Sequence, residues 1–302
     1  MDAPTFHESR RFIQVPSGRI AYVERGNGPS ALFLHGVPLN GFHWRHVIDR
    51  VADLRRCIAV DLMGLGHTEV EPGQDLSFAA QAEMVRDLLD ALAIEQVDLV
   101  GNDSGGAIAQ IVAARHPERV RTLTLTNCDV HDQWPPAAVL PTLALARAGR
   151  LADQFRRMIE QPEQARDRRS LGACYADPSV LSDEAIRVYL EPITASDERA
   201  ANMHRYWTSF DVRQTVEIEP LLRRFTAPTL IVWGTDDIFF DMSLARWLWD
   251  AIPGVVRLVK VPGARLFFPE EQPDALTAPL RELWTGERGT LEAAGGPSRA
   301  PA

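Results

Sequence analysis

Long hydrophobic runs are missing from this chain. No stretch approaches the roughly 20 apolar residues that a helix needs to cross a bilayer, although 45% of the 302 residues are hydrophobic. That apolar content excludes disorder for most of the chain and is enough for one domain carrying a sizeable insertion. The opening Met1-Asp-Ala-Pro-Thr-Phe-His-Glu-Ser-Arg10 has no apolar segment of the kind a secretory signal carries, so a cytoplasmic protein is expected. Cysteine is scarce: Cys57, Cys128 and Cys174 are an odd number without paired spacing, which argues against a disulfide framework. Positive charge is in deficit. The formal charge is −9 with Lys and Arg scattered, which speaks against nucleic acid or an anionic membrane surface as partner. The cluster Arg166-Asp-Arg-Arg169 reads as a solvated helix face. Gly101 to Gly106 lacks both the G-x-G-x-x-G spacing and a P-loop lysine, and no cluster has metal-ligand spacing. Neither cofactor nor metal is expected. The partner that remains is a small apolar or amphipathic molecule, with a homodimer left open.

What is present is organised around residues 97–110. The apolar run Val97 to Val100 ends in Gly101-Asn102-Asp103-Ser104-Gly105-Gly106, and a helical pattern begins at once. This reads as strand, tight turn, helix. A glycine two residues to either side of one polar side chain permits a turn sharp enough to thrust that side chain above a sheet. Asp103 holds the centre, and Asp tolerates a positive φ better than most residues. Two alternatives stay open: the glycines serve only close strand–helix packing, or the register slips by one, with Ser104 as nucleophile and Asn102 where the first glycine belongs.

Along the chain, Phe12–Val15 and Arg19–Val23 read as an opening hairpin, and Ala31–Leu34, Cys57–Val60, Val120–Leu125, Thr229–Trp233 and Val256–Val261 as further strands. Helical patterns lie between them at Phe42–Val51, Phe78–Leu92, Ser243–Ala251 and Pro273–Trp284. From about Gln133 to Pro220 the alternation stops and helical patterns take over. Connections are normally of order five residues, so this stretch reads as a helical lid inserted between the sixth and seventh strands. The expected organisation is an α/β core over 1–132 and 221–285, a lid over 133–220, and a disordered tail over 286–302, rich in Gly, Pro, Ser and Ala. The core is expected to be a mostly parallel twisted sheet with helices on both faces.

In this order the motifs resemble those of the α/β-hydrolase superfamily over about residues 12–284. His35-Gly36 is similar to the family's oxyanion-loop motif, Asp61-x-x-Gly64-x-Gly66 to its next loop, and Gly101-x-Asp103-x-Gly105 to its nucleophile elbow. Asp237 sits where the family usually keeps its catalytic acid. An aspartate at the elbow resembles the branch of haloalkane dehalogenases, fluoroacetate dehalogenases and epoxide hydrolases. A carboxylate attacks an sp³ carbon bearing a leaving group and gives an alkyl ester, which water then cleaves. The resemblance implies that the backbone N–H groups of Val37 and Ser104 form the oxyanion hole for that second step.

Two departures are informative. The family's catalytic histidine lies in a Pro-Gly-x-x-His-Phe-x-Pro-Glu-Glu pattern; here Pro262-Gly-Ala-Arg-Leu266-Phe-Phe-Pro-Glu-Glu271 puts Leu266 at that position, and no histidine follows His204. Asp237 thereby loses its usual partner, and its bland reading is a helix cap or a pair with Arg265. A replacement base has two candidates: His131, just after the sixth strand and flanked by Asp129 and Asp132, and His204 in the lid. His7, His43, His46, His67 and His116 read as surface or helix-end residues, and His35 as structural. Second, Val37 and Ser104 supply neither an indole N–H nor a side-chain amide donor for a departing halide, so haloalkanes are disfavoured. Among the lid tyrosines Tyr175, Tyr189 and Tyr206, Tyr206 is the best placed by pattern to protonate an opening epoxide. Three functions compete: a hydrolase acting through Asp103 on an epoxide-like electrophile, a lyase or isomerase using Asp103 as general base, and a ligand-binding protein without turnover.

Overall fold

The computed structural model describes residues 1–286, so all but the first residue of the expected tail lies outside the described residues. Eight strands form one sheet: β1 (Arg10–Val15), β2 (Gly18–Arg25), β3 (Ser30–Leu34), β4 (Arg56–Val60), β5 (Val97–Asp103), β6 (Val120–Cys128), β7 (Thr229–Gly234) and β8 (Val255–Val261). Their order is β1-β2-β4-β3-β5-β6-β7-β8. The hairpin pair β1 and β2, and β2 with β4, run antiparallel, and the remaining neighbours are parallel. Every residue of β5 and β7 is buried. Because successive side chains point to opposite faces, such strands must be covered on both.

The covering helices follow the expected alternation. Before the long insertion come α1 (Ala3–Glu8), α2 (Arg45–Val51), α3 (Phe78–Ala91) and α4 (Ser104–Arg115). Between β6 and β7 lie α5 (Leu140–Arg147), α6 (Leu151–Glu160), α7 (Pro162–Arg166), α8 (Asp183–Thr194), α9 (Asp197–Ser209), α10 (Arg213–Val216) and α11 (Glu219–Leu222). The chain closes with α12 (Met242–Ala251), α13 (Phe268–Glu271) and α14 (Pro273–Thr285). The 133–220 segment contains no strand. Its helices start on local signals: the Ser182 and Ser196 hydroxyls accept the Ala185 and Arg199 amides at 3.1 and 3.2 Å, and proline opens α7.

Buried polar contacts dock this helical segment on the sheet. Arg199 of α9 donates to the Thr68 carbonyl at 2.6 Å, and Asn40 to the Val188 carbonyl at 2.7 Å. Glu270 of α13 accepts from Arg45 at 2.6 Å, Tyr175 at 2.7 Å and Tyr189 at 2.9 Å. Those two tyrosines, the less well placed candidates for the acid, have their hydroxyls engaged by Glu270 here. His43, expected at the surface or at a helix end, sits at the end of a short helical turn but is fully buried. A tight turn over Gly41–Trp44 directs its ring into the core, 4.8 Å from the Trp44 ring and 5.4 Å from that of Phe267. The basic cluster begins at Arg166, the last residue of α7, and continues past the helix end rather than along a helix face: Arg169 is exposed beside Asp167, while Arg168 donates to the Tyr175 carbonyl at 2.7 Å. Cys57, Cys128 and Cys174 are free and buried. Among the described residues no helix is long and apolar enough to cross a membrane.

Candidate functional site

The site lies where the strand order reverses. From β3 the chain steps out to β4 and returns across β3 to β5, which opens a crevice at the carboxyl ends of β3 and β5. Leu34 registers with Gly101, so His35-Gly36-Val37 runs beside Asn102-Asp103. Asp103 joins β5 to α4 at φ 54° and ψ −132°, a region that costs a non-glycine residue about 1–3 kcal/mol. Two glycines permit the approach. A Cβ at Gly36 would fall onto the Asp103 carboxylate, and one at Gly105 onto the carbonyls of Leu34 and His35. Ser104 begins the helix, and its Oγ is 2.9 Å from the Tyr206 hydroxyl.

Above this turn is a cavity of about 340 Å³. Val37, Asp103, Ser104, Asp129, Tyr206 and Leu266 are among its lining, and Trp134, Trp207, Phe210 and Phe239 contribute aromatic wall. An apolar pocket with a few convergent polar groups is the usual form of a small-molecule site.

Two carboxyls, Asp103 and Asp129, line the cavity, and a third, Asp237, lies near enough for its charge to act on both without being on the lining. Asp103 Oδ2 accepts the Val37 N–H at 2.9 Å. Burial pushes the Asp103 carboxyl well above its ordinary range, the neighbouring Asp129 adds to this, and the amides of Val37 and Ser104 oppose it. Asp103 registers with Cys128 across the sheet, which places Asp129 one residue further along the same edge. Asp129 is 2% exposed, and burial pushes its carboxyl up to about 7. Neither of its carboxyl oxygens has a hydrogen-bond partner among the described residues. Asp237 is also raised to about 7 by burial, against hydrogen bonds from the Phe239 amide and the Asn127 side chain, both at 2.8 Å.

The remaining expected residues divide clearly. Leu266 is buried and lines the cavity where a base was anticipated. Tyr206 lines it too, and burial raises its phenol, so the hydroxyl stays protonated and can donate. His35 is fully buried, with Nδ1 2.8 Å from the Gly36 carbonyl and Nε2 accepting the Leu62 amide at 3.0 Å; burial lowers it to about 4, and the neutral ring shapes the loop. Asn102 belongs to the elbow and not to the cavity lining. Its amide donates to Thr126 Oγ1 at 2.9 Å and to the Leu266 carbonyl at 3.0 Å, so it braces the loop beneath the cavity rather than lining it. The two replacement bases are corrections. His131, at φ 51°, turns its ring onto Trp247 at 4.6 Å and bonds Glu219 at 2.8 Å. His204 accepts the Ala152 amide at 3.2 Å. Among the described residues no histidine lines the cavity. Nor is any group of three or more His, Cys, Asp and Glu placed to hold a metal ion.

Two functional candidates escaped sequence reasoning. Asp129 entered it only as a neighbour of His131, although its place after β6 was a usable signal. Trp207 did not enter it at all: it is 8% exposed, lines the cavity, and its Nε1–H has no partner among the described residues.

Comparison with known proteins now adds to the geometry. Residues 29–272 match a family model described as alpha/beta hydrolase fold. The chain is 29% identical over 284 residues to haloalkane dehalogenase 2 of Mycobacterium tuberculosis (strain ATCC 25618 / H37Rv), covering 90% of this chain and 93% of that protein. It is 31% identical over 251 residues to cis-3-alkyl-4-alkyloxetan-2-one decarboxylase of Shewanella oneidensis, covering 79% and 77%. Among solved structures, epoxide hydrolase CorEH superposes with a TM-score of 0.76 at 23% identity, covering 92% of this chain and 99% of that one.

Proposed function

Because the chain belongs to the α/β-hydrolase family, in the branch of haloalkane dehalogenases and epoxide hydrolases, we propose that it hydrolyses an apolar, epoxide-like electrophile through an ester on Asp103. One observation carries the reading: a buried carboxyl, with one oxygen on the Val37 amide at 2.9 Å, faces an apolar cavity of about 340 Å³. The ionised form of Asp103 attacks the sp³ carbon and the ring C–O bond breaks. Tyr206 gives its proton to the opening oxygen. In the second step the Val37 and Ser104 amides hold the oxyanion that forms when water attacks the ester carbonyl. The helical 133–220 segment acts as the cap that closes the cavity over a small apolar or amphipathic substrate. The test is a panel of aryl and alkyl epoxides with wild type, Asp103→Ala and Ser104→Ala, followed by diol formation and intact mass. Turnover lost in Asp103→Ala and kept in Ser104→Ala supports the reading; the reverse moves the nucleophile to Ser104.

A second reading is favoured by Leu266 together with the oxetanone decarboxylase relative. Asp103 would open a four-membered lactone at its alkyl carbon, releasing a carboxylate. Loss of CO2 from that carboxylate then forms an alkene and expels Asp103. No water is consumed, so no base is needed. Alkene and CO2 rather than a diol or hydroxy acid are the products that would establish it.

A further inference from the structure

We propose that Asp129 is the proton acceptor that replaces the missing histidine, taking a proton from the water that cleaves the ester on Asp103. The assignment rests on the nucleophile reading above. Asp129 lines the same cavity as Asp103 and Leu266, and its carboxyl is buried with both oxygens unpartnered among the described residues. Leaving a buried acceptor unmade costs about 1–3 kcal/mol, and more for a charged group. A carboxylate aimed into a cavity in this state is poised for something that enters the cavity. Asp237 is the rival, but its two oxygens are already taken by the Phe239 amide and the Asn127 side chain. Tyr206 remains protonated, and Cys174, also on the lining, is a buried thiol pushed up by burial.

The groups facing Asp129 are Asp103 from β5, Asp237 from the loop after β7, Tyr206 from α9, and its own neighbour Cys128. None of these four brings a positive charge, and the cavity's cations, Arg168 and Arg169, are not among the groups that shift it. A carboxyl raised to about 7 by burial, with the Asp237 charge adding to it, has the basicity of an ordinary imidazole, near 6.5. Water then adds to the Asp103 ester carbon as one of its protons passes to Asp129. The tetrahedral oxyanion collapses, the bond from that carbon to the ester oxygen, which came from Asp103, breaks, and Asp129 returns the proton to the departing alcohol. Asp103, left as the acid, gives its proton back to the Tyr206 oxygen that protonated the epoxide.

The experiment mixes styrene oxide with wild type, Asp129→Asn, Asp129→Glu and Asp103→Asn, and follows diol release and intact mass. The expected result is turnover by wild type, and in Asp129→Asn a persistent gain of one epoxide mass on the peptide holding Asp103. Diol release should fall there by about 10²–10⁴, the usual worth of general-base catalysis, and recover partly in Asp129→Glu. Release of the ester by wild type should rise with pH to a plateau with a midpoint near 7, a readout that survives even if Asp129→Asn does not fold. Ester release at the wild-type rate in Asp129→Asn, or a flat wild-type profile, would overturn the assignment. So would an Asp129→Asn protein that forms no adduct while wild type turns over, since Asp129 would then act before the ester. An adduct or turnover in Asp103→Asn overturns the nucleophile reading instead, and inertness of wild type removes both.

Discussion

Asp103 is the residue on which the others depend. Its strained backbone at φ 54° persists because Gly36 and Gly105 leave room for nothing larger. Replacing it with Ala should leave the fold intact, by circular dichroism and thermal melting, and lower turnover by roughly 10⁴ or more. Full activity in that variant would remove the nucleophile assignment. A second residue-scale outcome concerns stability. Asp129 and Asp237 are raised from an ordinary 3.8 to about 7 in the folded protein. Each therefore contributes stability that is fully present below about pH 4 and is lost as pH rises through about 7. Asp129→Asn carries no such titration, so its Tm relative to wild type should climb between about pH 5 and pH 8. The climb should be at least about 2 °C, the equivalent of ~1 kcal/mol in a domain of this size. A constant difference would mean that Asp129 is ionised in the fold throughout. Much of this scale was legible: the positions of Asp103, Val37, Ser104 and Leu266 along the chain carried enough pattern to place them at one edge. Asp129 and Trp207 carry no pattern, because what marks them is the absence of a partner in three dimensions. His131 misled for the same reason, since its sequence neighbours gave no hint of Glu219 or Trp247.

At the scale of elements, the sequence exposed what repeats and hid what is brief. Strand runs and helices of ten or more residues stood out by periodicity, and the interruption from 133 to 220 stood out by its length. The six-residue α1 and the four-residue α13 have too few turns for a period to show. Yet α13 carries Glu270, which ties α2 and the 133–220 insertion together through Arg45, Tyr175 and Tyr189. Burial pushes the Glu270 carboxyl up, but the Arg45 guanidinium outweighs it and holds the group well below the ordinary carboxylate range. Arg45→Met should cost about 3–5 kcal/mol at neutral pH, because it strands a buried charge. Chemical denaturation measures this, and a loss under ~1 kcal/mol would show that Tyr175, Tyr189 and His43 suffice.

For the whole molecule the question is which leaving group the site accepts. A departing halide finds no indole or amide side-chain donor at Val37 or Ser104, and the buried indole N–H of Trp207 lines the cavity without a partner among the described residues. One donor of this kind is worth about 10²–10³ in rate. Simple chloro- and bromoalkanes should accordingly release halide at least ~10²-fold more slowly than epoxides open, by halide assay against diol formation. Trp207→Phe should lower any halide release further. Comparable rates on both substrates would show that the halide is held elsewhere.

The central claim is an ester on Asp103, and a single turnover in water enriched in oxygen-18 tests it most directly. With enzyme in excess over epoxide, attack of water on the ester carbonyl leaves the heavy oxygen in the Asp103 carboxylate and none in the diol, read by peptide mass spectrometry. Label appearing in the diol with an unlabelled Asp103 would mean that water attacks the substrate itself, with Asp103 acting only as a base, and would contradict the account.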